Sequence, residues 1–116
     1  MQFEVQRTTV KGRPALRVRG ELDIATAPQL GGALSDVLEA GATSLVVDLS
    51  ETTFLDSSGA RQLIRSAKHC GDLGVGLQVV CPPDNRPVRL VIDLLELHRA
   101  VPIVEQAGLA GGEVGS

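Results

Sequence analysis

The residues best suited to chemistry lie in one polar stretch, Asp48–Gly59, with the sequence DLSETTFLDSSG. Ser57 and Ser58 follow Asp56 directly, and a serine hydroxyl can act as a nucleophile or accept a phosphate. A nucleophile needs an activating base, and the sequence has no G-x-S-x-G elbow. His69 lies more than three helical turns beyond Ser57, roughly 18 Å along a helix. We therefore expect no enzymatic activity and no catalytic residues.

Phosphate acceptance fits the predicted position of these serines. Ser57 and Ser58 would lie at the start of a helix, where unpaired backbone N–H groups and the helix dipole favour negative charge. A phosphate adds about −1.5 to −2 charges and three acceptor oxygens. Aspartate, serine and glycine at a helix start also serve in ordinary capping. Local chemistry alone leaves both interpretations open.

Composition excludes several other classes of function. The net charge is −3, and the aromatic residues are two phenylalanines without tryptophan or tyrosine, which argues against nucleic-acid binding. The sequence has no glycine-rich phosphate-binding loop, so we expect no nucleotide cofactor. Cys70, Cys81, His69 and His98 have no metal-ligand spacing, so we expect no metal and two buried structural thiols. No secretion signal and no apolar run of about 18 residues occurs, which favours a cytoplasmic location without membrane contact.

Hydrophobic periodicity predicts the elements that position the polar stretch. In chain order they are strands at 3–9 and 14–19 joined by a turn at Lys11–Arg13, a helix capped by Thr26 and ended by Gly41, a strand at Leu45–Leu49, a loop at Ser50–Asp56, a helix ended by Gly71 or Gly74, a strand at Val75–Cys81, a helix capped by Asn85, and a short strand at Val101–Val104. This order, β-β-α-β-α-β-α-β, predicts an α/β fold. The mixed β-sheet would have an N-terminal antiparallel hairpin and mostly parallel strands beyond it, with packed α-helices.

Each predicted helix has an apolar stripe that should face the sheet. The stripes are Leu30, Ala33, Leu34, Val37 and Leu38; then Ala60, Leu63, Ile64 and Ala67; then Val88, Val91, Ile92 and Leu95. The third helix region also contains Leu90, Leu94 and Leu97, more apolar residues than one face needs. These leucines form either additional core or a self-association patch. We expect one domain at 1–107, followed by a flexible glycine-rich tail at 108–116.

Two segments resemble the signature regions of the STAS-domain family, in particular its stand-alone bacterial anti-sigma-factor antagonists. The first is Gly20-Glu21-Leu22-Asp23 with Thr26-Ala27, and the second is Asp48-Leu49-Ser50 leading to Phe54-Leu55-Asp56-Ser57-Ser58-Gly59. The resemblance extends from the first strand to about Glu105. It implies a STAS-like fold and a role as a protein-binding switch.

In that family, the serine directly after the aspartate is phosphorylated by the anti-sigma factor, which is itself a serine kinase. The resemblance implies that this residue is Ser57, with Ser58 a less favoured second site. The unphosphorylated protein binds the anti-sigma factor and releases the sigma factor, and a metal-dependent serine phosphatase reverses the modification. ATP would belong to the kinase. The partner-binding residues implied are Asp23, Thr26, Asp56, Ser57, Ser58, Gly59, Arg61 and Arg65, on a monomer or weak homodimer.

The sequence departs from the family after Gly59, where Ala60-Arg61 replaces the common Leu-Gly. Arg61, Arg65 and Lys68 follow at helical spacing and predict a basic face. That face is either simply solvated or contacts the partner, with Arg61 pairing with a phosphate on Ser57. The alternative function is a scaffold or regulatory subunit of a stress-signalling or lipid-transport assembly, where other STAS domains occur.

Overall fold

The computed structural model describes residues 2–107, so the predicted tail at 108–116 lies outside the described residues. The elements are β1 (Glu4–Val10), β2 (Arg13–Leu22), α1 (Ala27–Glu39), β3 (Ser44–Asp48), β4 (Thr52–Leu55), α2 (Ser57–Asp72), β5 (Gly76–Val80), α3 (Arg86–Leu94), a 3-10 turn (Leu97–Arg99) and β6 (Ile103–Val104). The α/β prediction is confirmed, and the predicted order is corrected by one added strand, β4.

The strands form one mixed sheet. In spatial order they run β1-β2-β3-β5-β6, and β4 pairs with β2 beyond the end of β3. The β1–β2 pair is antiparallel and the other pairs are parallel, as predicted. Lys11 and Gly12 connect the hairpin with φ values of 52° and 80°. Two central residues with positive φ are what a tight hairpin turn requires, which explains the glycine.

Strand β4 lies within the segment that was predicted as a loop. The prediction missed the strand because the segment is rich in polar residues. Gly20 pairs with Thr52 and Leu22 with Leu55. Thr52 is buried, and its hydroxyl donates a 2.7 Å hydrogen bond to the Val18 carbonyl. Because this bond joins residues 34 positions apart in the sequence, no local sequence pattern predicts it. β4 thereby extends the sheet to the start of α2.

The three helices pack on one face of the sheet around a single core, and α1 and α2 lie side by side. A smaller apolar cluster of Ala15, Val46 and Val80 lies on the opposite face. β3 is therefore buried on both faces, as its β-branched sequence predicts. Cys70 and Cys81 are buried and unpaired, as predicted. Burial raises the pKa of both thiols above the ordinary value.

Two predictions about apolar positions were wrong. Ile64 is 39% exposed, on the solvent side of α2, and Leu95 is 48% exposed because it follows the last turn of α3. For the three leucines whose prediction was left open between core and a self-association patch, the structure gives different results. Leu97 is buried, whereas Leu90 and Leu94 are 59% and 71% exposed. The 3-10 turn after α3 redirects the chain and carries Leu97 into the core.

The last strand is shorter than predicted. Only Ile103 and Val104 pair, in parallel, with Val79 and Val80 of β5. Pro102 precedes them and has no N–H to donate, but its carbonyl accepts a 2.9 Å bond from the Val79 N–H. Within residues 2–107, no helix is long and apolar enough to cross a membrane.

Candidate functional site

Parallel pairing of β2 with β4 brings the two polar motifs together. Leu22 and Leu55 lie opposite each other in register, so Asp23 and Asp56 leave the sheet from the same edge. The Asp56 N–H donates a 3.3 Å hydrogen bond to the Leu22 carbonyl. Residues more than thirty positions apart in sequence thus form one site at the carboxyl ends of two parallel strands.

Asp56 caps α2. Its backbone is extended, with φ −111° and ψ −174°, and its Oδ1 accepts a 2.9 Å hydrogen bond from the Gly59 N–H. Its carbonyl accepts the first helical bond, from the Ala60 N–H at 2.9 Å. This is the geometry of an aspartate N-cap. Ser57 and Ser58 consequently occupy the first two helical positions, as predicted.

Gly59 is buried because the first turn of α2 packs directly on the end of β2. A Cβ atom at this position would overlap the Leu22 carbonyl oxygen and the Leu55 side chain. The glycine is therefore required by close approach, at an ordinary negative φ. Its place in the site is to hold Ser57 against the sheet edge, and it has no side chain to offer a partner.

The Asp23 carboxylate is held within its own loop. Its Oδ1 accepts hydrogen bonds from the N–H groups of Ala25 at 3.0 Å and Thr26 at 3.1 Å. The Thr26 hydroxyl accepts from the Asp23 N–H at 2.9 Å and donates to the Glu21 carbonyl at 2.7 Å. Thr26 occupies the N-cap position of α1, but its side chain does not cap that helix, which corrects the prediction. These bonds fix the loop beside the start of α2.

Ser57 is exposed, and its side chain makes no hydrogen bond to any residue in 2–107. The backbone N–H groups of Ser57 and Ser58 also have no partner in that range. Ser58 is only partly exposed and lies in a shallow groove of about 160 Å³ between the starts of α1 and α2. Ser57 is the more accessible of the two hydroxyls. A partner's active site could reach it without any rearrangement of the fold.

The predicted basic face of α2 is exposed. Lys68 forms an ion pair with Asp72 at 3.6 Å, one turn further along the helix. Arg61 and Arg65 line the groove beside Ser58 and form no ion pair within the described range. Arg61 is one helical turn beyond Ser57, on the same side of α2. The site thus combines an exposed hydroxyl with two guanidinium groups that form no ion pair in residues 2–107.

Two exposed apolar residues were not predicted as partner-binding residues, one in the groove at this site and one on β4. Ile24 is 75% exposed and lines the same groove as Ser58, and Phe54 is 45% exposed on β4. A signal for Ile24 exists in the sequence, because an isoleucine between Asp23 and Ala25 interrupts a polar turn. Phe54 gave no such signal, because its exposure depends on the pairing of β4. Large exposed apolar side chains beside a polar site are typical of protein interfaces.

Residues 2–107 contain no cluster of histidine, cysteine, aspartate and glutamate that could hold a metal ion. Within the same range, no side chain accepts a hydrogen bond from the Ser57 hydroxyl. The arrangement can present a hydroxyl at a capped helix start, with carboxylates, arginines and the exposed side chain of Ile24 nearby.

Comparisons with known proteins identify the family of this chain. A family model described as "Mlab, STAS domain" matches residues 5–105. The anti-sigma-F factor antagonist RsfB of Mycobacterium tuberculosis is 32% identical over 106 residues, covering 89% of this chain and 86% of that protein. The crystal structure of an anti-sigma factor antagonist from Mycobacterium paratuberculosis superposes with a TM-score of 0.79 at 28% identity, covering 90% of this chain and 87% of the other.

The Bacillus cell fate determinant SpoIIAA, solved in its phosphorylated form, shares the fold with a TM-score of 0.59 at 17% identity, covering 89% of this chain and 91% of that one. The family model spans nearly all of the described residues, and both motifs lie within the matched range. The chain belongs to the STAS-domain family.

Proposed function

We propose that this chain is an anti-sigma-factor antagonist whose binding to a kinase-type anti-sigma factor is switched off by phosphorylation of Ser57. The observation that carries the proposal is the exposed Ser57 hydroxyl, without a hydrogen-bond partner in residues 2–107, on a capped helix start. The similarity to RsfB, named an anti-sigma-F factor antagonist, supports the class of partner. The role is regulatory rather than catalytic, and we expect it to be carried out in the cytoplasm.

The helix start is suited to gain a phosphate without unfolding. Asp56 already satisfies the Gly59 N–H, and the close packing of Gly59 on Leu22 fixes the first turn. The N–H groups of Ser57 and Ser58 and the dipole of a sixteen-residue helix favour negative charge here. The modification would therefore change the surface and leave the fold intact.

Charge provides the physical basis of the switch. Asp23 and Asp56 already place two carboxylates beside Ser57, so a partner that binds the neutral hydroxyl must present groups matched to that surface. A phosphate adds about −1.5 to −2 charges at the centre of the interface. Such a mismatch in charge and desolvation costs several kcal/mol, and about 1.4 kcal/mol corresponds to tenfold in affinity. A single phosphate is sufficient to release the partner.

We assign Arg61 the role of pairing with the phosphate once it forms. The guanidinium lies one turn from Ser57 and forms no ion pair within residues 2–107. Arginine binds phosphate oxygens in a bidentate manner, and this interaction becomes stronger as the negative charge of the phosphate increases. This pairing would hold the phosphate on the helix surface until a metal-dependent serine phosphatase removes it.

The first experiment is incubation with the candidate anti-sigma-factor kinase and ATP, followed by intact-mass measurement. We expect one added phosphate on the parent chain and on Ser58→Ala, and none on Ser57→Ala. Ser58→Ala is the matched control because it removes the neighbouring hydroxyl from the same helical turn. A phosphate that persists on Ser57→Ala would contradict the assignment.

The second experiment measures the affinity for the anti-sigma factor. Ser57→Ala should bind like the parent chain, whereas Ser57→Asp should bind at least about tenfold more weakly because it adds a charge. If both variants bind as the parent does, Ser57 is not the switch. The fold would then serve another assembly.

The role of Arg61 is tested by comparing Arg61→Ala with Lys68→Ala. Both variants remove one positive charge from the same face of α2, but Lys68 lies nearly two turns further along and pairs with Asp72. Arg61→Ala should change the dephosphorylation rate, and Lys68→Ala should not. Equal rates for Arg61→Ala and the parent chain would remove Arg61 from the mechanism.

The alternative is a subunit of a stress-signalling or lipid-transport assembly. One observation keeps it in view, because the matching family model carries the description "Mlab, STAS domain". An assembly subunit would bind its partners with no dependence on the charge at Ser57. The affinity comparison between Ser57→Ala and Ser57→Asp therefore separates the two functions.

A further inference from the structure

The solvent face of α3 has a pattern that the Ser57 site does not explain. Leu90 and Leu94 are 59% and 71% exposed, whereas Val88 and Ile92 of the same helix are buried in the core. At about 100° per residue, Arg86, Leu90, Asp93 and Leu94 share one side of the helix, opposite the buried side. An exposed leucine pair on a nine-residue helix is an unusual use of apolar surface.

Charges flank the two leucines in a particular order. Arg86 lies at the first position of α3 and Asp93 near its end, and neither forms an ion pair within residues 2–107. Nearby charged residues do pair, Arg89 with Glu105 at 3.5 Å and Arg99 with Glu96 at 2.9 Å. The exposed face of α3 therefore begins with a positive residue, has Leu90 at its middle, and carries Asp93 and Leu94 side by side near its end.

This order is complementary to itself when a second copy is reversed. Arg86 and Asp93 are seven residues apart, about 10.5 Å along the helix. An antiparallel copy related by a twofold axis near Leu90 would place each Arg86 opposite the other copy's Asp93. The two Leu90 side chains would meet at the axis, and each Leu94 would pack on the aliphatic stem of the opposite Arg86. A parallel copy would instead set like charges against each other.

We propose that this chain self-associates through α3, as an antiparallel twofold pair with two Arg86–Asp93 contacts between the copies. The twofold arrangement is the commonest symmetry of homodimers. The apolar area is two leucines per copy, so the interface is below the size of stable dimers and the association is weak and reversible. The proposal is independent of the switch at Ser57, which lies on a different helix.

Sedimentation of the purified chain, from low micromolar to near millimolar concentration, tests the association. The variants are Arg86→Glu, Asp93→Arg and the double variant carrying both changes, which restores the net charge and the complementarity. Arg7→Glu is the control, because Arg7 is exposed on β1 and forms no ion pair in residues 2–107. Circular dichroism of each variant establishes that it is folded.

We expect the parent and Arg7→Glu to dimerise as the concentration rises. Each single α3 variant should associate at least about tenfold more weakly, and the double variant should associate like the parent. Recovery is specific to a self-complementary contact, since a single copy cannot form it. A parent chain that stays monomeric at every concentration overturns the proposal. The exposed face of α3 would then be available to bind a different protein. Single variants that dimerise like the parent, or a double variant that does not recover, overturn it equally.

Discussion

The starts of α2 and α3 use the same class of residue in different ways. Asp56 occupies the N-cap of α2 and accepts the Gly59 N–H, so its side chain stabilises its own helix. Asn85 occupies the N-cap of α3, but its side chain forms no capping bond there. Its Nδ2 instead donates two 2.9 Å hydrogen bonds, to the carbonyls of Leu49 and Thr52. One residue is a local cap and the other is a long-range tether.

This difference matches what the two helices present to solvent. The capped start of α2 supports an exposed hydroxyl and two arginines close to the sheet edge. The start of α3 is anchored to the turn between β3 and β4, and the helix then packs beside β4 with two leucines facing out.

The largest expected effect on stability is the difference between substituting the buried Leu97 and substituting the exposed Leu94. Leu97→Ala removes a side chain that is 2% exposed and should lower the free energy of unfolding by about 2–5 kcal/mol. Leu94→Ala changes an exposed position and should stay within about 0.5 kcal/mol. Urea denaturation of both variants makes the measurement. Similar losses for the two would mean that the outer face of α3 is part of the core.

The next effect tests the close packing at the start of α2. Gly59→Ala forces a Cβ against the Leu22 carbonyl and the Leu55 side chain, and should cost about 1–3 kcal/mol of stability. Gly32→Ala, within α1 where the added Cβ meets nothing within 4 Å, should instead gain about 0.5–1 kcal/mol. Thermal unfolding of the pair distinguishes them. An equal gain at both glycines would contradict the packing described here.

Asn85→Asp tests the tether directly. If Asn85 were a local cap, aspartate would serve as well. As a tether it should not, because a carboxylate has no N–H to donate and would face two carbonyl oxygens. We expect a loss of about 1–3 kcal/mol in chemical denaturation. Asp84→Asn, at the exposed neighbouring position, is the control and should have little effect.

The smallest effect concerns the cap of α2. Asp56→Ala removes the acceptor of the Gly59 N–H and should cost about 1 kcal/mol, within the usual range for N-caps. Asp56→Asn keeps a side-chain oxygen and should retain most of that stability. Comparing the two by thermal unfolding separates the hydrogen bond from the charge. An alanine variant as stable as the asparagine variant would show that the cap contributes nothing.

Much of the fold was predictable because local patterns were consistent with it. The β1–β2 hairpin, the three helices and the fully buried β3 each follow from periodicity, a turn glycine or a β-branched run. Two of the errors share one cause. The pairing of β4 and the hydrogen bonds of the Asn85 side chain depend on residues far away in the chain.

The candidate site divides in the same way. The order of Asp56, Ser57, Ser58 and Gly59 predicted a helix start, and the family resemblance supplied both their role in a site and the link to Asp23. The exposure of Phe54 and the groove beside Ser58 became clear only from the tertiary structure. Both depend on which surfaces the rest of the chain covers.

By itself, the sequence determined where the helices and most strands form and that Ser57 begins α2, because capping and hydrophobic periodicity act over a few residues. Only the tertiary structure decided that Thr52–Leu55 is a strand, that Leu22 and Leu55 align to place Asp23 beside Asp56, and that Leu90 and Leu94 face solvent. Those outcomes depend on parallel pairing between distant segments. Such pairing forms only when the whole sheet assembles.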